Sequence, residues 1–136
     1  MSLTTQRFSF PESLEDAYTE GDCWILASEI NRQAGLPFVA LILEKSHIED
    51  EWHHIANRLP DGRIVDILGV WEEGDVIAHW SKMLRSDYLI TPYSKEQIEE
   101  DFPNEIADAA YPLVTKNLKL HASAVLESLK EFSWVV

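Results

Sequence analysis

The chain has 136 residues, one cysteine and a net charge of −13, from 11 lysines and arginines against 24 aspartates and glutamates. The length predicts a single domain over residues 1–136, and a hydrophobic fraction of 46% predicts a packed chain rather than a disordered one. One cysteine excludes an internal disulfide. With no apolar leader in residues 1–10, this predicts a cytoplasmic location.

The excess of acidic residues restricts the kinds of partner that the chain is expected to bind. Phosphate contacts need Lys and Arg, so nucleic acid is not expected as a partner. A basic protein partner is compatible with such a surface. No apolar stretch reaches the length that a membrane span requires, so no membrane contact is expected.

The first third of the chain contains the clearest helix signal. Residues 1–10 are predicted to be a flexible or vector-derived tail, or a short edge strand, and residues 11–18 a short helix. A longer helix is predicted over residues 22–34, with Asp22 as its N-cap and Gly35 as its stop. Its apolar positions recur at helical spacing and place Cys23 in the first turn, on the buried face.

A sheet is predicted in the middle of the chain. Residues 38–43 form a continuous apolar run typical of a buried strand. Residues 52–59 and 63–68 read as two strands joined by the turn sequence Pro60-Asp61-Gly62, which predicts an antiparallel hairpin. The later elements are predicted as a helix over 72–84, a strand over 88–91 and a helical C-terminal portion over 94–136, which begins with a Ser94–Gln97 capping box. The order predicts an α+β fold.

Cys23 is a candidate nucleophile because of where it lies. The first turn of a helix offers unpaired N–H groups and a positive dipole end, and both stabilise a thiolate. A lone cysteine on an apolar helical face is also a common core residue, so the position alone does not decide its role.

The predicted hairpin carries a candidate base and its partner. Strand alternation puts His54 on one face and His53 on the other, so only one of them can face a given group. The turn brings Asp66 within one or two rungs of His54. A carboxylate bonded to one imidazole nitrogen sets the tautomer, and the other nitrogen can then take a proton from a thiol. His53 is the alternative base.

The combination is more specific than its parts. Gly-Asp-Cys at a helix start (residues 21–23) precedes His54 on a strand, and the segment Pro-Asp-Gly-Arg…Asp-x-x-Gly (residues 60–69) follows. This order resembles the papain-like cysteine peptidase superfamily, and especially its small bacterial NlpC-type branch; it also looks like small bacterial and phage proteins of that fold. The resemblance implies Cys23 as nucleophile, His54 as general base and Asp66 as the orienting residue.

The resemblance implies a cysteine hydrolase or acyl-transfer enzyme, with an N-terminal Cys-bearing helix packed on a small antiparallel sheet, followed by C-terminal helices. Its substrate would be an amide, isopeptide or thioester. Trp24 and Trp52 would line the substrate groove, and no cofactor is implied. The alternative is a catalytically inactive protein of the same fold whose acidic surface binds a basic partner.

A metal site is the competing interpretation of the histidine-rich segment. Potential ligands are dense between residues 47 and 54, but no two histidines have the i, i+4 spacing of a helical zinc site. We therefore expect no metal. The potential ligands are His47, Asp50, Glu51, His53 and His54.

Overall fold

The computed structural model describes residues 6–20, 22–43, 52–84, 88–101 and 111–131. Within these residues the chain forms six strands and six helices. In chain order they are β1 (Gln6–Arg7), α1 (Glu12–Glu20), α2 (Cys23–Ala34), β2 (Phe38–Leu43), β3 (Trp52–Arg58), β4 (Ile64–Asp66), β5 (Gly69–Trp71), α3 (Glu73–Leu84), β6 (Tyr88–Tyr93), α4 (Lys95–Asp101), α5 (Pro112–Thr115) and α6 (Leu118–Glu131).

One six-stranded sheet organises the fold, in the order β1-β5-β4-β3-β2-β6. Each neighbouring pair is antiparallel. The α+β class and the predicted hairpin are therefore confirmed. The hairpin pairs Asn57 with Val65, and Leu59 N–H closes the turn on the Arg63 carbonyl at 2.7 Å.

The structure adds elements that the sequence did not distinguish. The strand predicted over 63–68 ends at Asp66, and the chain reverses at once into β5. Gln6 and Arg7 form the short edge strand beside β5, and the Phe8 side chain is buried. Residues 1–5 lie outside the described residues. Within the described residues, the C-terminal helical portion contains α4, α5 and α6.

Helix α2 is central and buried on most of its surface. It packs against β3, α1 and α6. Gly35 ends it in the left-handed conformation, with φ of 72°, as the stop signal predicted. Asp22 occupies the N-cap position without capping: its fully buried carboxylate accepts a hydrogen bond from Tyr111 N–H at 2.8 Å instead. That bond ties the start of α5 to the residue before Cys23.

Helices cover the sheet on opposite faces at β3. On one face, the buried Asn57 amide donates to the carbonyls of Ala27 in α2 and of Leu36, at 3.1 and 3.2 Å. On the other face, His54 stacks on Trp80 of α3. Strand alternation predicts this division, since residues 54 and 57 differ by an odd number. The two helices therefore hold β3 between them.

The predicted capping box at the start of α4 is present. Ser94 N–H donates to Gln97 Oε1 at 2.8 Å, and Gln97 N–H donates to Ser94 Oγ at 3.0 Å. Among the described residues, no helix has the length and apolar character needed to cross a membrane. Trp134, Val135 and Val136 lie outside the described residues.

Candidate active site

The Cys23 thiol lies beside the part of the β3 edge that β4 does not cover. Leu59 N–H points toward β4, so by alternation Ile55 N–H points the same way. Since β4 has already ended at Asp66, Ile55 N–H has no ladder partner there and donates to Cys23 Sγ at 3.4 Å. Because the chain turns into β5 directly after Asp66, the sulfur can occupy the place beside β3 where a longer β4 would have continued.

His54 and Asp66 form a buried pair. His54 Nε2 lies 2.9 Å from Asp66 Oδ2, and the two residues are 2% and 4% exposed. Cys23 is 3% exposed. The structure therefore brings together the three residues that the sequence proposed, and it selects His54 for contact with Asp66. The side chain of His53 is outside the described residues.

The second oxygen of Asp66 is held by three donors. Oδ1 accepts the N–H groups of Leu68 and Gly69, at 2.9 and 3.3 Å, and Trp71 Nε1–H at 3.0 Å. Gly69 has a φ of 150°, a conformation that other residues rarely adopt. The Asp-x-x-Gly sequence is thus a tight β4–β5 turn folded around the carboxylate, which leaves Oδ2 for His54.

The charges of the pair follow from these contacts. Burial alone would lower the pKa of His54, but the hydrogen bond with Asp66 and the neighbouring Cys23 outweigh it and raise that pKa to about 10. Burial alone would raise the pKa of Asp66, yet the bonds from His54, Trp71 and Leu68 lower it. At neutral pH the pair is therefore an imidazolium bonded to a carboxylate.

The other imidazole nitrogen is left available. His54 Nδ1 is buried and forms no hydrogen bond of ordinary geometry with any residue in the described part of the chain. The Cys23 sulfur is nevertheless near enough to act on the pKa of the ring. Catalytic hydrogen bonds are often incomplete in a free enzyme and tighten when substrate binds. With Nε2 occupied by Asp66, Nδ1 is the nitrogen that can exchange a proton with the thiol.

Two tryptophans, Trp71 and Trp80, support the pair, and neither was singled out from the sequence. Trp71 donates to Asp66, and Trp80 stacks on the His54 ring with centroids 4.7 Å apart at 24°. His79 packs on Trp71 at 5.0 Å. Their helical and strand spacing indicated only apolar packing; no sequence signal distinguished them from ordinary core aromatics.

The remaining predicted residues have separate outcomes. Trp24 is buried in an apolar cluster with Cys23 and Ile55, which is core packing rather than the wall of an open groove. The side chain of Trp52 lies outside the described residues, and so do His47, Asp50 and Glu51. Among the residues that are described, no group of three or more His, Cys, Asp or Glu side chains could hold a metal ion.

The charge state of His54 can be tested directly. In Asp66→Asn the carboxylate that holds the imidazolium is replaced by a neutral amide of similar shape. We expect the pKa of His54 to fall by at least about two units, because burial then acts with less opposition. A ¹H–¹⁵N NMR titration of the imidazole measures it, with the exposed-turn variant Asp61→Asn as control. An unchanged titration in Asp66→Asn would show that the pair does not set the charge.

Comparison of this chain with protein-family models, with curated proteins and with solved structures found no match. What the fold and the site define is therefore a structural class: an α+β domain in which a helix-start cysteine meets a buried His–Asp pair at an open strand edge. The function of that arrangement is inferred from its geometry and chemistry.

Proposed function

We propose that the chain is a cysteine hydrolase or acyl-transfer enzyme of papain-like type, acting on an amide, isopeptide or thioester through Cys23, His54 and Asp66. The observation that carries the proposal is that the two nitrogens of the His54 imidazole have different surroundings. Asp66 occupies Nε2, whereas Nδ1 is buried with no hydrogen bond of ordinary geometry in the described part of the chain, and Cys23 is close enough to act on the ring. A core histidine with a purely structural role would be expected to use both nitrogens or to expose one.

The chemistry follows from those positions. The Cys23 thiolate attacks the substrate carbonyl carbon, and a C–S bond forms. The bond to the leaving nitrogen or sulfur then breaks, and the proton held by His54 passes to that leaving group. Water or another nucleophile gives its proton back to His54 and attacks the acyl carbon, which releases the thiolate. Asp66 keeps the imidazole oriented throughout and stabilises its cation.

The sulfur has three polar features in its surroundings. The thiol lies at the first residue of α2, where the helix dipole is positive, and Ile55 N–H donates directly to Sγ. The imidazolium supplies a full positive charge nearby. These three features come from three different elements, so they surround the sulfur only in the folded domain.

The proposal is tested by trapping the covalent intermediate. The purified chain is mixed with small activated acyl donors, namely a nitrophenyl ester and an acyl thioester, and quenched in acid. We expect intact-mass analysis to show one acyl group per chain, and peptide mapping to place it on Cys23. A burst of leaving group should equal the amount of protein. Steady release without a burst, or acyl groups distributed over lysines, would contradict the proposal.

One observation favours a second candidate. Cys23 is only 3% exposed, and the net charge is −13. A closed thiol on a strongly acidic protein suits an inactive domain that binds a basic partner. In that case the trapping experiment gives no acyl-enzyme. Reversal of Glu99, Glu100 and Asp101 to lysine would then weaken association and reduce its salt sensitivity.

A further inference from the structure

Helix α3 brings an indole ring against the candidate base. The rings of Trp80 and His54 lie 4.7 Å apart between centroids, with an angle of 24° between planes, so they are stacked face to face. Trp80 is 5% exposed and His54 2%, so the contact is shielded from water. The edge of His79 meets Trp80 at 5.9 Å and 82°. The His54 imidazole is therefore bounded by a carboxylate at its edge and by an indole on its face.

We propose that Trp80 is a positioning residue of this site, whose indole face holds His54 as an imidazolium and sets the plane in which Nδ1 is presented to Cys23. The role in catalysis rests on the proposed function above. The state of the imidazole can be measured without a substrate, so the two proposals can fail separately.

The geometric part of the role follows because one hydrogen bond does not fix the orientation of the imidazole ring. The bond from Nε2 to Asp66 locates one atom of the ring. Together with the covalent bond from Cγ to Cβ it fixes two points of the ring, and a tilt of the ring plane about the line between them, which would move Nδ1, is still allowed. A flat surface stacked on the ring removes this tilt. The Trp80 indole, stacked on the imidazole, provides such a surface.

The electrostatic part follows from the chemistry of the indole. An aromatic face carries negative potential and attracts a cation, most strongly for tryptophan and most effectively away from water. The other titratable groups acting on His54 are Asp66 from β4, Cys23 from α2 and His79 on α3; Arg7 of β1 acts on His79. Burial lowers the pKa of His79, so it adds little positive charge.

The surroundings of the indole nitrogen indicate that Trp80 acts through the face of its ring and not through its N–H group. Trp80 Nε1 is buried and has no hydrogen-bond partner among the described residues. An unsatisfied buried donor is unfavourable, and phenylalanine or leucine would fill an apolar core position without it. The benefit of the indole at this position is therefore its extended π surface against His54.

The test compares two replacements of similar size, Trp80→Phe and Trp80→Leu. Phenylalanine keeps an aromatic face, whereas leucine does not. By NMR titration we expect the pKa of His54 to be lower in Trp80→Leu than in Trp80→Phe by about half to one unit, a three- to tenfold loss of proton affinity. Identical titrations in both variants would overturn the proposal.

A second measurement avoids any loss of folding. Site-specific incorporation of fluorinated tryptophans at position 80 keeps the shape of the ring while it weakens the potential of the face. We expect the pKa of His54 to fall stepwise as fluorines are added. A flat series would overturn the proposal. If the series falls but no acyl-enzyme forms, Trp80 holds the imidazolium and the proposed hydrolase function is the part that fails.

Discussion

Replacement of Cys23 by serine is expected to lower acyl transfer by about 10⁴-fold or more, to the level of the uncatalysed acyl donor. Serine is close to cysteine in size, so the packing around Ile55 should change little. The hydroxyl, however, is a far weaker nucleophile than a thiolate, and the variant also loses the contributions of Cys23 that raise the pKa of His54. The measurement is the nitrophenyl ester burst together with intact-mass trapping.

The control for this result is a substitution that removes a buried methyl group from the same helix and keeps the Cys23 thiol. Ala27→Gly lies one turn further along α2 on the same buried face and leaves Cys23 intact. It should reduce stability by roughly 1 kcal/mol while acylation persists. If Cys23→Ser retains the full burst, or if both variants lose it equally, the hydrolase proposal is wrong and the binding alternative gains support.

Replacement of His54 by glutamine is expected to reduce the rate of Cys23 alkylation and of acyl transfer by about 10²- to 10⁴-fold near neutral pH. Glutamine cannot hold the proton that stabilises the thiolate and later leaves with the departing group. The reaction should recover as pH rises and hydroxide ionises the thiol directly. A rate–pH profile with iodoacetamide measures this dependence.

The His54→Gln variant is expected to be less stable than the parent protein, because removing one member of a buried charge pair costs several kcal/mol. The double variant His54→Gln, Asp66→Asn restores a neutral hydrogen-bonded pair and should recover stability without recovering reactivity. His121→Gln, on α6, where the imidazole bonds the Tyr18 hydroxyl, controls for histidine loss in general. Alkylation rates in His54→Gln equal to those of the parent protein would show that His54 does not activate the thiol.

Much of the site was predictable because its signals are local. A helix start before Cys23, a two-strand hairpin around residues 60–62 and the parity of residues 53 and 54 all follow from neighbouring residues in the chain. Each depends on caps, turns and side-chain alternation, which act over a few positions. The register that places Asp66 near His54 is set by the turn between their strands.

What could not be predicted depends on contacts between distant elements. The sequence suggested that Asp22 caps its own helix, whereas the fold turns its carboxylate to Tyr111, 89 residues away. Trp71 and Trp80 carried the same apolar pattern as the rest of the core, since periodicity reports burial and not what a side chain is buried against. The contact of Trp80 with His54 exists only once α3 has packed on the sheet, and the bond from Trp71 to Asp66 only once β5 has folded back on β4.

By itself the sequence determined the class of the fold, the helix that begins at Cys23 and the strand pair that carries His54 and Asp66. Those are consequences of local propensity and hydrophobic period. Only the tertiary structure decided that the Ile55 N–H beyond the end of β4 meets the sulfur of α2, and that the Trp80 indole packs on the His54 imidazole. These features arise from the packing of separate elements, which no local pattern encodes.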